Sequence, residues 1–158
     1  MITFDPIPKM FFNPKFKNYR ISNFNQKIEI LKSYNIDFII NKKFDKKFSK
    51  TKYTNFIKNV LYKKIKPRYI FVSDNFRFGN KREGDVSSLK QFEKVYGYKI
   101  VNPSPLKKNL KIVSSTLIRK YLSEGKIKVA NKYLDRNWSI EGFCLLYTSP
   151  SPRDRIRS

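Results

Sequence analysis

The sequence predicts an α/β fold in which a parallel sheet carries helices on both faces. Short apolar segments alternate along the chain with longer segments of helical periodicity, and polar loops separate the two kinds. Strands that alternate with helices in this way need crossover connections, which make the strands parallel. With 158 residues, of which 40% are hydrophobic, the chain is long enough and apolar enough to form one folded domain.

The predicted elements follow one another from the first residue. Ser22 and Asn23 are capping residues, and behind them Phe24, Ile28 and Leu31 recur on one helical face. Asp85 is the predicted cap of a later helix. Strands are expected at 1–4, 36–40, 68–72, 98–101, 111–113 and 138–143, helices at 22–35, 51–64, 86–96, 115–124 and 126–134, and loops at the carboxyl ends of strands at 5–14, 41–50, 73–85 and 102–116.

The composition bounds the possible partners. The formal charge is +23, and lysines near phosphates release counterions, so a basic nucleic-acid-binding module is one interpretation. The lysines are spread over helices and loops without a single stripe, which favours a compositional bias, and we do not expect nucleic acid as a partner. The sequence has no histidine, a single cysteine (Cys144) and no apolar run of membrane-spanning length. These features predict a cytoplasmic protein without disulfides, zinc sites of Cys and His, or a membrane partner.

The last residues differ in composition from the rest of the chain. Lysine does not occur after Lys132, whereas Arg153, Arg155 and Arg157 crowd the last six positions. The stretch CLLYTSPSPRD resembles the translation of a transposase adapter used in sequencing libraries. We therefore expect residues 144–158 to be a non-native, adapter-derived tail. An ordinary disordered tail rich in Ser, Pro and Arg is the alternative.

Hydroxyl side chains stand at a predicted junction between a strand and a helix. Ser114, Ser115 and Thr116 follow a short apolar run, and Arg119 lies in the first turn of the helix behind them. A helix N-terminus favours an anion, and helical side chains lean toward it, so the arginine can reach back to the same place. Arginine makes forked bonds to phosphate. The pattern predicts a phosphate-binding cradle; a plain N-cap beside a solvated arginine is the alternative.

Two further segments supply candidate binding residues. In the loop SDNFRFGNKREGD, Asn75 can donate and accept hydrogen bonds, and Phe76 and Phe78 could cover a flat ring. A flexible basic loop whose aromatic residues pack into the core is the alternative. In the segment TFDPIP, Pro6 and Pro8 fix the backbone and could form a rigid wall, or the segment could simply end a strand.

These segments, in this order, resemble the adenylyltransferase module of the bacterial bifunctional riboflavin kinase/FAD synthetase family. The resemblance extends over roughly residues 1–142. The motif around Ser114 is shared by the wider nucleotidylyltransferase superfamily, whereas its combination with the other segments is more specific. The matching segments are TFDPIP (3–8), SDNFRFG (73–79) with Gly84 and Asp85, VSSTLIR (113–119), and AN…LDR (130–136) followed by WSIEG (138–142).

The resemblance implies a Rossmann-like nucleotidylyltransferase fold and the transfer of AMP from ATP to FMN, which gives FAD and pyrophosphate with Mg²⁺. It also implies a division into a synthetase domain at 1–136, the start of a riboflavin kinase β-barrel at 137–143, and the tail at 144–158. By the family's pattern, the ATP-binding residues are Asn75, Ser114, Ser115, Thr116 and Arg119, and the FMN-binding residues are Pro6, Pro8, Asn75, Phe76 and Phe78.

The sequence also departs from the family's pattern. Ile7 stands where the family usually has His, and Ser73 and Asp135 stand where it has Gly. The family's first strand and its His-x-Gly-His motif have no match, so the resemblance implies an incomplete sheet that lacks its first central strand. No catalytic residue and no metal ligand is assigned. We expect exposed apolar side chains on the strands, low stability, no adenylyl transfer by this chain alone, and weak ATP binding.

Three other functions remain open on the sequence. A nucleotidylyltransferase of the same superfamily could use pantetheine phosphate or nicotinamide mononucleotide as the acceptor. The chain could instead be a basic nucleic-acid-binding module. Finally, Ile7 and Ser73 could mark a domain that no longer catalyses a reaction.

Overall fold

The computed structural model describes residues 1–16 and 19–142. In this part of the chain short strands alternate with helices, as the sequence predicts. A π-helix covers Phe56–Ile65, and 3₁₀ turns cover Pro14–Phe16 and Asn80–Arg82. The strands are β1 (Ile2–Asp5), β2 (Ile40–Lys43), β3 (Tyr69–Phe71), β4 (Lys99–Val101), β5 (Lys107–Lys108) and β6 (Lys111–Ile112), and the α-helices are α1 (Pro8–Phe12), α2 (Phe24–Ser33), α3 (Lys46–Ser49), α4 (Tyr53–Asn55), α5 (Val86–Gln91), α6 (Glu93–Tyr96), α7 (Ser115–Ser123) and α8 (Ile127–Leu134).

The strands pair in three sets of two. β1 and β2 are parallel, with Ile2 opposite Ile40, and β3 and β4 are parallel, with Ile70 opposite Ile100. β5 and β6 form a small antiparallel hairpin inside the predicted loop 102–116. The predicted α/β class with parallel strands is therefore confirmed, although the parallel strands form two separate pairs.

A cavity of about 800 Å³ is lined by side chains from both parallel pairs. Ile2 of β1 and Ile70 of β3 contribute to its wall. On β3 the side chains of Tyr69 and Phe71 are 58% and 70% exposed. A strand of a fully covered parallel sheet would bury both of its faces. The expected exposure of apolar side chains on the strands is thus confirmed.

Two clusters of buried side chains hold the helices in place. In the first, Ile57 and Leu61 of the π-helix pack with Leu89 of α5 and with Tyr98. The second cluster joins α7 to α8 through Ile118, Ala130 and Tyr133. These clusters form because apolar residues recur at helical spacing, and burying them is the main favourable contribution to folding.

The helix boundaries follow the capping residues of the sequence. Asn23 caps α2, where its side chain and that of Gln26 form a reciprocal capping box. Asp85 caps α5 in the same way with Ser88. The helix predicted at 86–96 is divided at Phe92 into α5 and α6, and it ends at Gly97 in a left-handed conformation.

Several predicted boundaries are wrong. The strand expected at 36–40 lies at Ile40–Lys43, and the apolar side chain of Phe38, inside the expected strand, is 80% exposed. The predicted loop 5–14 contains α1, because Pro8 occupies the first helical position, where its missing N–H costs nothing. The predicted loop 41–50 contains most of β2 and α3, which Asp45 caps.

The strand expected at 138–143 is absent from the described residues 138–142. Their polar groups bond instead to residues near the start of α2: Trp138 Nε1 donates to the main-chain oxygen of Ile21 at 2.8 Å, and Gln26 Nε2 donates to that of Ser139 at 3.1 Å. Phe143 and the predicted tail at 144–158 lie outside the described residues. None of the helices in the described part of the chain combines the length and the apolarity needed to cross a membrane.

Candidate functional site

The N-terminus of α7 is built as the sequence predicts. Ser114 is the N-cap, and its Oγ accepts a hydrogen bond from the main-chain N–H of Leu117 at 3.2 Å. Ser115 and Thr116, the first two residues of the helix, are exposed. The free N–H groups, the helix dipole and these hydroxyl groups favour an anion at this end. The arrangement can therefore hold a phosphate group.

Arg119 contacts a residue that the sequence did not suggest. Its guanidinium carbon lies 3.8 Å from the centre of the Tyr19 ring, and its Nη2 donates to the Tyr19 hydroxyl at 2.6 Å. Both contacts orient the guanidinium, and within residues 1–16 and 19–142 its other N–H groups have no hydrogen-bond partner and can serve a ligand. The sequence predicted that Arg119 can reach back to the N-terminus of α7, and the structure shows its guanidinium stacked on the Tyr19 ring.

A second cation approaches the same tyrosine. Lys9 of α1 lies with its Nζ 4.0 Å from the centre of the Tyr19 ring and donates to the hydroxyl at 2.8 Å. Sequence reasoning missed both Lys9 and Tyr19, because no periodicity or motif connects residues so far apart. The one available signal was that Lys9 directly follows Pro8, a candidate residue.

Three of the predicted flavin-side residues lie on the cavity between the strand pairs. Pro8, Phe76 and Phe78 line it, and the two phenylalanine rings stack with their centres 5.4 Å apart. Both rings also pack against the first core cluster, as the alternative interpretation of these aromatic residues expects. The basic side chains that line the cavity are Arg77, Lys81 and Arg82. An apolar wall with cations is suited to an aromatic anion.

The structure does not bring Pro6 and Asn75 to the wall of this cavity. Asn75 is exposed, and its Oδ1 accepts a hydrogen bond from the Ser73 hydroxyl at 3.0 Å. Ser73 is one of the positions at which the sequence departs from the family's pattern. Here the departure introduces a group that orients the Asn75 amide.

The loop that carries these aromatic residues is held by close backbone contacts. Phe78 and Gly84 exchange main-chain hydrogen bonds of 3.0 and 2.9 Å, and Tyr53 donates its main-chain N–H to the Glu83 carboxylate at 2.9 Å. A Cβ at Gly84 would lie 2.6 Å from that of Tyr53. Glycine is therefore required here because the backbone passes so close to α4.

Charged side chains also meet at the carboxyl end of β1. Asp5 forms an ion pair with Arg20, and Lys27 donates to the Thr3 hydroxyl. Burial lowers the pKa of Lys27, and the nearby Arg20 guanidinium lowers it further. Asp5 is the carboxylate that offsets part of this positive charge, so the surroundings favour an anionic ligand.

Mg²⁺ is the metal that the resemblance implies. Residues 1–16 and 19–142 contain no group of three or more His, Cys, Asp or Glu side chains suited to holding a metal ion. Mg²⁺ is usually bound by substrate phosphates together with one or two carboxylates. We therefore assign it no protein ligand.

The parallel strands and the helices between them place the chain in the α/β class, to which the nucleotidyltransferases belong. Comparison with known proteins identifies the family of the chain within this class. The family model described as FAD synthetase matches residues 1–117, and the chain belongs to this family.

The similar curated proteins include bifunctional riboflavin kinase/FMN adenylyltransferases. That of Buchnera aphidicola subsp. Schizaphis graminum is 41% identical over 143 residues, which are 90% of this chain and 46% of that protein. The Escherichia coli K12 protein is 28% identical over 142 residues, which are 90% of this chain and 45% of that protein. The chain therefore spans about half the length of the curated relatives it matches.

A solved structure shares the fold. It is titled a macrolide-efflux protein from Streptococcus pneumoniae, and it superposes with a TM-score of 0.73 at 21% identity. The match covers 87% of this chain and 44% of that one. At this identity the likeness shows the fold alone.

Proposed function

We propose that this chain is the nucleotide- and flavin-binding part of an FMN adenylyltransferase. The observation that carries the proposal is the cavity in which Pro8 and the stacked rings of Phe76 and Phe78 lie with Arg77 and other cations. Such a cavity suits a ligand that is both aromatic and anionic, as FMN is. The family of the chain supports the same reaction.

In the proposed reaction an oxygen of the FMN phosphate attacks the α-phosphorus of ATP. The bond between this phosphorus and the oxygen that bridges to the β-phosphate breaks, so that FAD forms and pyrophosphate leaves. The protein needs to position the two phosphates and to stabilise the developing charge. We assign this role to Ser114, Ser115, Thr116 and Arg119, with Asn75 between nucleotide and flavin. Mg²⁺ would accompany ATP and offset its charge.

The proposal extends to the organisation of the protein. Residues 1–136 are assigned to the synthetase domain, 137–143 to the start of a riboflavin kinase barrel and 144–158 to the adapter-derived tail. Relatives named bifunctional kinase/adenylyltransferases support a kinase domain in the same polypeptide. The contacts of Trp138 and Ser139 with the start of α2 would connect the two domains.

The test is flavin and nucleotide binding by the 158-residue chain. FMN fluorescence should be quenched on binding, and unlabelled FAD should compete. ATP binding, measured by calorimetry, should weaken about tenfold when Arg119→Gln removes a charged hydrogen-bond donor. Lys120→Gln is the matched control, since it removes the same charge from a neighbouring, exposed position of α7. Equal losses of ATP affinity in the two variants would show that only the net charge matters, and would contradict the proposed role of Arg119.

The same assay separates the other functions. Binding of nicotinamide mononucleotide or pantetheine phosphate without FMN binding would assign the chain to a different nucleotidylyltransferase. RNA binding with a steep salt dependence, in the absence of FMN binding, would favour a basic nucleic-acid-binding module. FAD formation from FMN and ATP, measured by chromatography, would contradict our expectation that the chain alone is inactive.

A further inference from the structure

Lys9, Tyr19 and Arg119 come from three separate parts of the chain and meet at one phenol group. The Tyr19 oxygen accepts from Lys9 Nζ at 2.8 Å and from Arg119 Nη2 at 2.6 Å. The two cationic nitrogens thus lie within the length of two hydrogen bonds of each other. Like charges at such a distance repel each other, and a negative charge near both would offset this repulsion.

No such charge comes from the described residues. Within 1–16 and 19–142, neither Lys9 nor Arg119 has a carboxylate oxygen within 4 Å, whereas Arg20, the next residue after Tyr19, is paired with Asp5. The Lys9 side chain is exposed and that of Arg119 partly so, which leaves both accessible. The phenol oxygen is a neutral acceptor, so it orients the two cations without offsetting their charge.

We propose that Lys9 and Arg119, held together by Tyr19, form a binding site for a phosphate group. The chemistry fits because guanidinium and ammonium groups make short charge-assisted hydrogen bonds to phosphate oxygens. Lys9 and Arg119 bind the ligand, and Tyr19 is a positioning residue.

The place of this site in the fold indicates which phosphate it takes. Lys9 directly follows Pro8, which lines the cavity proposed for the flavin, and Arg119 belongs to α7, whose N-terminus is proposed for ATP. The site therefore joins a residue next to the proposed flavin cavity with the helix proposed for ATP, and we assign it to the phosphate monoester of FMN. This assignment rests on the proposed function, whereas the phosphate-binding property rests on the three side chains alone.

The first experiment uses inorganic phosphate and the 158-residue chain. The ³¹P line width of phosphate should increase with added protein, and Lys9→Met should remove most of the increase while keeping the apolar stem of the side chain. Lys128→Met is the control, because Lys128 is an exposed lysine of α8. Tyr19→Phe keeps the ring and removes the shared acceptor, so it should reduce the broadening partly. Circular dichroism checks that the variants remain folded.

The second experiment compares FMN, riboflavin and ATP. Lys9→Met should weaken FMN binding about tenfold and leave riboflavin, which lacks the phosphate, unchanged. A loss for ATP alone would assign the site to the nucleotide instead of the flavin. Unchanged phosphate broadening in Lys9→Met, or equal losses in Lys128→Met, would overturn the site itself. Phosphate binding that needs Lys9, in a chain that does not bind FMN, would contradict the proposed function and leave the phosphate site standing.

Discussion

The hydroxyl group of Tyr98 donates a hydrogen bond to the main-chain oxygen of Leu89 at 2.7 Å, and both side chains lie in the first core cluster. This bond fastens the segment before β4 to the last turn of α5. Because Tyr98 is only 3% exposed, the hydroxyl needs a partner inside the protein. The contact thus couples the core to one of the two parallel strand pairs.

Tyr98→Phe should lower the free energy of unfolding by about 1 kcal/mol, since it removes a buried hydrogen bond, while the Leu89 oxygen still accepts from the main-chain N–H of Phe92. The pH dependence gives a second signature. Burial raises the pKa of Tyr98 to about 12, and the nearby Glu93 carboxylate and Tyr96 add to the effect, whereas its ordinary pKa is 10.0. Between these values the unfolded chain loses the Tyr98 proton and the folded protein keeps it.

The stabilisation due to Tyr98 is therefore complete below pH 10 and decreases as the pH rises from about 10 to about 12. Urea unfolding of wild type and Tyr98→Phe at pH 8 and pH 11.5 measures this difference. The gap between the two proteins should shrink at the higher pH. A gap that stays constant or widens would show that the tyrosine is not buried in its neutral form.

Gly84 passes so close to α4 that a methyl group has no room. An added Cβ would lie 2.6 Å from Tyr53 Cβ and 2.9 Å from the Phe78 ring. Gly84→Ala should lower the free energy of unfolding by about 1–3 kcal/mol through overpacking. It should also weaken FMN binding, because Phe78 lines the proposed flavin cavity. Gly142→Ala is the control, since an added Cβ there has no neighbour within 4 Å. Equal effects of both changes in urea unfolding would contradict the close approach.

The sequence predicted those features that depend on local chemistry. The N-caps Asn23 and Asp85 and the left-handed stop at Gly97 were predictable, because capping needs only residues a few positions apart. The hydroxyl groups at the start of α7 were predictable for the same reason. The strand at 40–43 was misplaced, since its position depends on the register with β1, which is not encoded locally.

The parts of the site that escaped prediction depend on long-range packing. Arg119 and Tyr19 are 100 residues apart in sequence, and only the folded chain brings the ring beneath the guanidinium. The hydrogen bond from the Ser73 hydroxyl to Asn75, by contrast, could have been predicted, because the two residues lie only two positions apart. The resemblance implied an incomplete parallel sheet, but not the separation of the parallel strands into two pairs, and no pattern of periodicity shows it.

The hydroxyl groups at the start of α7 should have two different roles, one in both stability and ATP binding and the other in ATP binding alone. Ser114→Ala removes the N-cap bond to Leu117 and should lower the free energy of unfolding by about 1 kcal/mol, besides weakening ATP binding. Ser115→Ala removes an exposed hydroxyl, so it should weaken ATP binding without a loss of stability. Urea unfolding and calorimetric titration with ATP measure the two properties separately. If Ser115→Ala left ATP binding unchanged, the role of this hydroxyl as a phosphate ligand would be wrong.

Asp135 ends α8 in a left-handed conformation, with φ at 57°, at a position where the family pattern has glycine. A side chain with a Cβ is strained in this region, whereas glycine is not. The carboxylate is 88% exposed and lies 3.8 Å from Lys108 Nζ, and an exposed pair of this kind contributes little. Asp135→Gly should therefore raise the free energy of unfolding, by about 1 kcal/mol.

Asp135→Ala is the matched comparison, because it also removes the carboxylate but keeps the Cβ. It should not stabilise the protein, since alanine is strained in the left-handed region and lacks the short polar group that helps Asp to tolerate it. Urea unfolding of the three proteins separates the backbone effect from the charge. Stabilisation of both variants to the same degree would assign the gain to the lost carboxylate and contradict the backbone strain at the end of α8.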